Sequence, residues 1–228
     1  MLEQSAVEKA RLEHEIAARR QRGEGLFVFS NDEVFLERIC DEIWWQQGGQ
    51  VVAKGDPREV LDKYRRWVAA QMRAWGQGKQ AELTPAMRRG DGRARVEKIE
   101  TLGANGWPTL VWASGESCAV RVTVRFEADV ADPVVGIMVR TLIGMEVYGT
   151  NTQLEQVKLG PVAAGETRVV RFEFPCLLCP QEYTLTAASH DPDGVWHDWL
   201  EDALAIRVSD VRYTAGVANL RAKVRVEG

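Results

Sequence analysis

The chain has little of what most enzymes and membrane proteins need. No apolar run approaches the roughly 20 residues that cross a bilayer as a helix. No G-x-x-x-x-G-K-[ST] loop is present to cradle phosphates, and no G-x-S-x-G to carry a nucleophile. Histidines number 3 and cysteines 4. Cys176 and Cys179 make a single C-x-x-C bracketed by Pro175 and Pro180. Without a second pair or nearby histidines it does not read as a zinc site, and without a βαβ context it does not read as a redox motif. No cofactor or metal is expected. Basic excess is absent too. The net charge of -4 argues against a nucleic-acid partner. The first 24 residues mix Glu and Arg, unlike a signal or transit peptide, so the expected compartment is the cytoplasm.

What is present fits a globular protein. The 228 residues, 45% hydrophobic and 27% charged, suit one large or two small domains. The two halves follow different periods. Residues 3 to 22 interleave Glu and Arg around Leu12 and Ile16, which suits an amphipathic helix. Asp56-Pro57-Arg58-Glu59 is a strong helix start, with a capping carboxylate, proline in the first turn and Glu at the capping-box position. That helix should carry Val60, Tyr64, Trp67, Val68, Gln71 and Trp75 near one stripe. Residues 76 to 93 lack periodicity and read as a linker.

From Ala94 the period becomes two. Val120 to Phe126, Val135 to Val139, Val170 to Phe174, Tyr183 to Ala187, Leu204 to Val208 and Leu220 to Val226 each alternate apolar and polar. Arg95 to Leu102 and Trp107 to Trp112 add two more strands. Short strands at this spacing predict a mainly β protein, a jelly-roll-like antiparallel sandwich over residues 94–228.

The first half resembles the last stretch of an ABC-transporter ATP-binding domain. The resemblance rests on Leu26 to Asp32, an apolar strand read as ending in a Ser-Asn-Asp turn, then on a helix to Cys40-Asp41. Ile43-Trp44-Trp45, Gly48-Gly49, Val51 to Val60 and Tyr64 follow in order. Residues 1–75 would then be a small helical remnant of that domain. Asn31 stands where that family's switch histidine would sit, which implies a degenerate, stand-alone descendant. The second half carries Gly149-Thr150-Asn151-Thr152, Ala164-Gly165-Glu166-Thr167, Leu177-Leu178, His197 to Glu201 and Gly216 to Leu220 in one order. It resembles the C-terminal carbohydrate-binding domain of the ATPase subunit of O-antigen polysaccharide exporters. The resemblance implies non-catalytic recognition of a bacterial glycan and a homodimer completed by the C-terminal strand. It also implies a place beside an exporter ATPase or membrane subunit, peripheral to the inner membrane.

Sugar recognition needs flat apolar surface for C–H faces and fixed polar groups for hydroxyls. Two segments offer both: His190, Asp191, Trp196 and His197 around the Asp-Pro-Asp-Gly turn, and Tyr148, Asn151 and Thr152 at a strand end. Each also has a plain structural reading. Asn151 and Thr152 can close a turn, the histidines can be core residues, and Trp199 and Leu200 can anchor the core. A module that has lost its ligand and serves only as a scaffold is the alternative. An enzyme is not expected, because the acidic residues show no spacing that selects a pair.

Overall fold

A computed structural model describes residues 6–79, 82–212 and 214–227 of the chain, which divides into two compact units at Trp67/Val68. The expected helix start at residues 3–5 lies outside the described residues.

The first unit holds α1 (Ala6–Gln21), α2 (Glu33–Ile39), the strands β1 (Ile43–Gln47) and β2 (Gln50–Gly55), and the start of α3 (Pro57–Gly76). Asp32 caps α2 by accepting from the Phe35 amide at 2.9 Å. Asp56 caps α3 in the same way, accepting from the Arg58 amide at 2.9 Å. Between β1 and β2, Gly48 and Gly49 both take positive φ (56° and 78°), the backbone a tight hairpin turn requires. Ile43, Val60 and Leu61 form a small core. Trp45 packs on Tyr64 and Trp67 at ring distances of 5.6 and 5.5 Å. The apolar run at residues 26–29 does not form the expected strand. Phe27 and Phe29 stand 87% and 92% exposed. A strand needs a neighbour to take its amides, and within this unit the described sheet is the β1–β2 hairpin alone.

The second unit is a β-sandwich. Its strands are β3 (Met87–Arg89), β4 (Ala94–Leu102), β5 (Val111–Ala113), β6 (Ser117–Phe126), β7 (Val134–Thr141), β8 (Glu146–Asn151), β9 (Thr167–Pro175), β10 (Glu182–His190) and β11 (Trp196–Ser209). A six-stranded sheet runs β3-β11-β10-β7-β8, with β5 lying parallel beside the end of β11, and a three-stranded sheet runs β4-β6-β9. Alternation places Val120, Val122, Val124 and Phe126 of β6 against Val135, Ile137, Val139, Tyr183, Leu185 and Leu204 of the larger sheet, all buried. The mainly β, jelly-roll-like class read from the sequence is the observed one.

Two expectations fail in this unit. The segment read as linker to residue 93 already contains β3, whose Met87, Arg88 and Arg89 pair with Glu201, Leu200 and Trp199. This edge strand is too short for any periodicity to show. Gly90 follows it with φ 150°, and a Cβ there would lie 2.2 Å from the His197 carbonyl oxygen. Gly90→Ala must therefore push β3 off β11. A loss of roughly 3 kcal/mol is expected in a denaturant titration, because backbone rather than a side chain has to move.

The second failure is the terminal strand. Residues 220–227 form no strand within the chain. Leu220, Val224 and Val226 are 79%, 88% and 96% exposed. The chain is held just before them. Asn219 is buried and donates to Ser114 and Asp210, both at 3.2 Å. Arg221 takes φ 55° and pairs with Asp210 at 3.2 Å.

Candidate functional site

The outward face of the six-stranded sheet is grooved, and the cause is local. Leu185 and Ala187 of β10 point into the core, so Thr186 and Ala188 point out. Register places Gly136 beside Ala188, and Gly149 beside Met138 in the next row. Glycine and alanine leave a low floor across β10, β7 and β8. Walls rise on both sides: Trp196 and Trp199 from β11, Asn151 and Leu154 from the end of β8 and its turn. The enclosed space is about 430 Å³.

The aromatic wall depends on a register shift. In a regular strand, residues three apart point to opposite faces. Here Trp199 pairs with Ala188, Asp198 with Ser189, and Trp196 with His190, so His197 is bulged out of the ladder. The bulge returns Trp196 to the face of Trp199. Their rings meet edge to face at 4.6 Å, His190 packs on Trp196 at 4.8 Å, and the Arg89 guanidinium lies 5.2 Å from the Trp199 ring. Trp199, read from the sequence as a core anchor, is thus 9% exposed yet on the outer face, buttressing Trp196.

The polar groups are few and fixed. His190 Nδ1–H donates to the Asp191 carbonyl at 2.6 Å, which leaves Nε2 for a ligand. Asn151 Oδ1 accepts from the Leu154 amide at 2.7 Å, which leaves its NH₂ for one. At the far end Arg140 is bridged by Glu201 at 2.5 Å and Glu146 at 3.0 Å. The guanidinium beside Glu201 holds that carboxyl below its ordinary range.

Of the expected site residues, Trp196, His190, Asn151 and Tyr148 line this groove. Tyr148 borders it through its position on β8 alone: it pairs with core-facing Val139, and its ring turns away from the groove onto Phe174 of β9 at 5.5 Å, so the ring is not the sugar platform expected. Thr152, Asp191 and His197 do not line it. Thr152 is buried, and its hydroxyl accepts from the Val135 amide at 3.1 Å, extending the β7–β8 ladder. His197 is buried between Asp191, 3.0 Å from Nε2, and Ser189, 3.1 Å from Nδ1. A carboxylate only accepts, so Nε2 carries the hydrogen and Nδ1 faces the hydroxyl. These are the parts of a Ser–His–Asp relay, but Ser189 is wholly buried and closed to any substrate. The trio instead pins the β10–β11 turn, with Arg93 completing it at 2.6 Å from Asp191.

Arg93 first, then His197, hold the Asp191 carboxyl below its usual range. A depressed carboxyl contributes stability that is present above its unfolded value and lost as pH falls through the folded one. The turn should therefore loosen below about pH 4, and Asp191→Asn should flatten that part of an acid-unfolding curve.

The family model described as the Wzt C-terminal domain matches residues 85–220, more than half of the chain. The chain belongs to the Wzt C-terminal domain family. The O-antigen export system ATP-binding protein RfbB of Myxococcus xanthus is 25% identical over 150 residues, covering 61% of this chain and 34% of that protein. The chain thus spans about a third of the length of this curated relative. A solved structure, the crystal structure of the C-terminal domain of wzt, superposes with a TM-score of 0.60 at 23% identity, covering 65% of this chain and 93% of that one. The superposition shows the fold.

Within this Wzt C-terminal domain, Gly136, Gly149, Ala188, Met138, Thr186 and Leu154 are among the groove residues that sequence reasoning missed, and Trp199 is one it weighed and assigned to the core. Trp199 carried a signal, its place three residues after Trp196, but the bulge that unites the two rings is set by pairing with β10. The small floor residues carried no signal, because a glycine in a strand announces nothing about its neighbours across the sheet. Among the described residues, no three His, Cys, Asp or Glu side chains converge as metal ligands.

Proposed function

We propose that the second unit binds a bacterial surface polysaccharide non-covalently in the groove between Trp196 and Asn151, as the recognition module of an ABC-type exporter. The observation that carries this reading is the groove: one accessible indole beside a low floor of Gly136, Gly149 and Ala188, flanked by the free ring nitrogen of His190 and the NH₂ of Asn151. The indole suits the C–H face of a pyranose, and the two polar groups suit its hydroxyls. Family membership and the O-antigen export relative support polysaccharide export as the setting. The site would lie on the cytoplasmic side, next to the exporter. No helix among the described residues is long and apolar enough to cross a membrane.

A ring under a sugar contributes about 1 kcal/mol beyond its buried area, and each net hydrogen bond a similar amount. A few sugars then bind in roughly the micromolar to millimolar range, and a dimer gains on a multivalent polymer. Titration of the purified chain with the polysaccharide of its source organism, followed by NMR, tests the reading. Shifts at groove residues are expected at millimolar repeat units, and their absence would favour a scaffold.

Recognition without chemistry is the second part of the proposal. Phosphoryl transfer needs backbone amides and a lysine around the phosphates with magnesium beside them, and no segment of the sequence supplies that loop. ATP hydrolysis by the purified chain should equal buffer background, and turnover that co-purifies with the chain through successive columns would refute this.

A further inference from the structure

The floor of the groove has a low point with a chemistry of its own. Register sets Trp199, Ala188, Gly136 and Asn151 in one row across the sheet, and Thr186, Met138 and Gly149 in the next. The low point is therefore over Gly136, which has no side chain. The Ala188 methyl flanks it on β10, and the half-buried Met138 side chain flanks it in the next row. All of these residues line the same enclosed space as Trp196.

Polar groups around this low point are spent or turned aside. β10 and β7 are each paired on both sides, so the ladders occupy their main-chain amides and carbonyls. Thr186 is buried, and its hydroxyl accepts from the Asp202 amide at 2.9 Å. The Thr150 hydroxyl donates to Glu155, and Glu146 is held by Arg140 at the far end. The Trp199 indole N–H is buried. His190 Nε2 stands one row away, beside Trp196. The Asn151 amide is drawn toward the next turn by its bond from Leu154. A hydroxyl pressed onto this floor would lose its water and find no partner, which is costly. A methyl group there gives up no hydrogen bond and buries apolar area against Ala188 and Met138.

We infer that the groove selects a 6-deoxyhexose, whose C6 methyl seats over Gly136 between Ala188 and Met138 while its ring lies against Trp196. The inference rests on the glycan reading of this groove and names the class of sugar it takes. A 6-deoxyhexose carries its methyl directly on a ring carbon, so the ring hydroxyls stay at the level of His190 and Asn151 while the methyl descends. An acetamido sugar also brings a methyl, but on an amide. That amide's N–H and carbonyl would enter the part of the groove where no partner stands. The parent hexose would place its 6-hydroxyl on the same apolar floor.

The test titrates the full chain with free sugars in matched pairs that differ only at C6: rhamnose with mannose, fucose with galactose, and 6-deoxyglucose with glucose. N-acetylglucosamine is a further arm. The Trp196 indole resonance reports binding by NMR. In the pair that binds, the 6-deoxy sugar should bind about tenfold more tightly than its parent. Its C6 methyl protons should show an intermolecular NOE to the Met138 methyl. Ala188→Ser offers a hydroxyl at the floor and should bring the ratio within the pair toward one. Met138→Gln tests the same seat from the next row, should the first variant fold poorly. Equal binding within every pair, a ratio unchanged in both variants, or tighter binding of N-acetylglucosamine would overturn the inference and leave the groove standing. So would a Trp196 resonance that moves with the source organism's polysaccharide but with none of the sugars. If the polysaccharide leaves it unmoved as well, both readings fall.

Discussion

The full chain should be a dimer, and removing residues 222–228 should leave a monomer of half the mass. The segment leaves the sandwich at Arg221, whose φ of 55° is a conformation few side chains adopt. It is held there by the bond from Arg221 to Asp210 at 3.2 Å and by the buried Asn219. Beyond this anchor, Val224 and Val226 are 88% and 96% exposed and alternate with Lys223 and Arg225. One apolar and one basic face is the pattern of a strand, and a strand without a neighbour is an invitation to pair. β9 ends its sheet, with Val169 58% exposed, so the sandwich also offers an open edge. Mutual exchange of the segment between two copies would close both under two-fold symmetry. Cutting after Arg221 spares the anchor, so the remaining chain should stay folded. Light scattering on the full chain and on the shortened one reads the result directly. An unchanged dimer after the cut would place the contact elsewhere.

Trp196→Ala should lower affinity for the polysaccharide by tenfold or more, since it removes both a stacking face and its buried area, ~2 kcal/mol together. The fold should be spared. Trp196 sits at the mouth of the groove, and the core-facing neighbours on β11 are Leu200 and Leu204. Trp199→Ala should weaken binding less directly, by letting Trp196 tilt, and should also loosen Arg89 on β3. Calorimetry on the two variants separates the roles. Binding unaltered in Trp196→Ala would move the site off this face.

Much of the architecture was legible because its signals are local. Period-two alternation marked β6, β7, β9, β10 and the second half of β11, and Asp56-Pro57 marked the start of α3. β3 was not legible, being 3 residues long and defined by its pairing with β11. The strands expected at residues 26–29 and 220–226 have strand-like composition, but composition supplies no neighbour.

The site divides along the same line. Sequence alone determined the sandwich class, the absence of a phosphate loop, and the two segments where a ligand site could lie, since each depends on residue type within a few positions. Tertiary structure decided which residues of those segments share a surface. It turned Thr152, Asp191 and His197 inward to hold the β7–β8 ladder and the β10–β11 turn, and it brought Trp199 to Trp196 by a bulge. It laid Gly136, Gly149 and Ala188, from three different strands, into one floor. The reason is register: the side-chain period of a strand is two, so a shift of one residue moves every side chain beyond it to the opposite face.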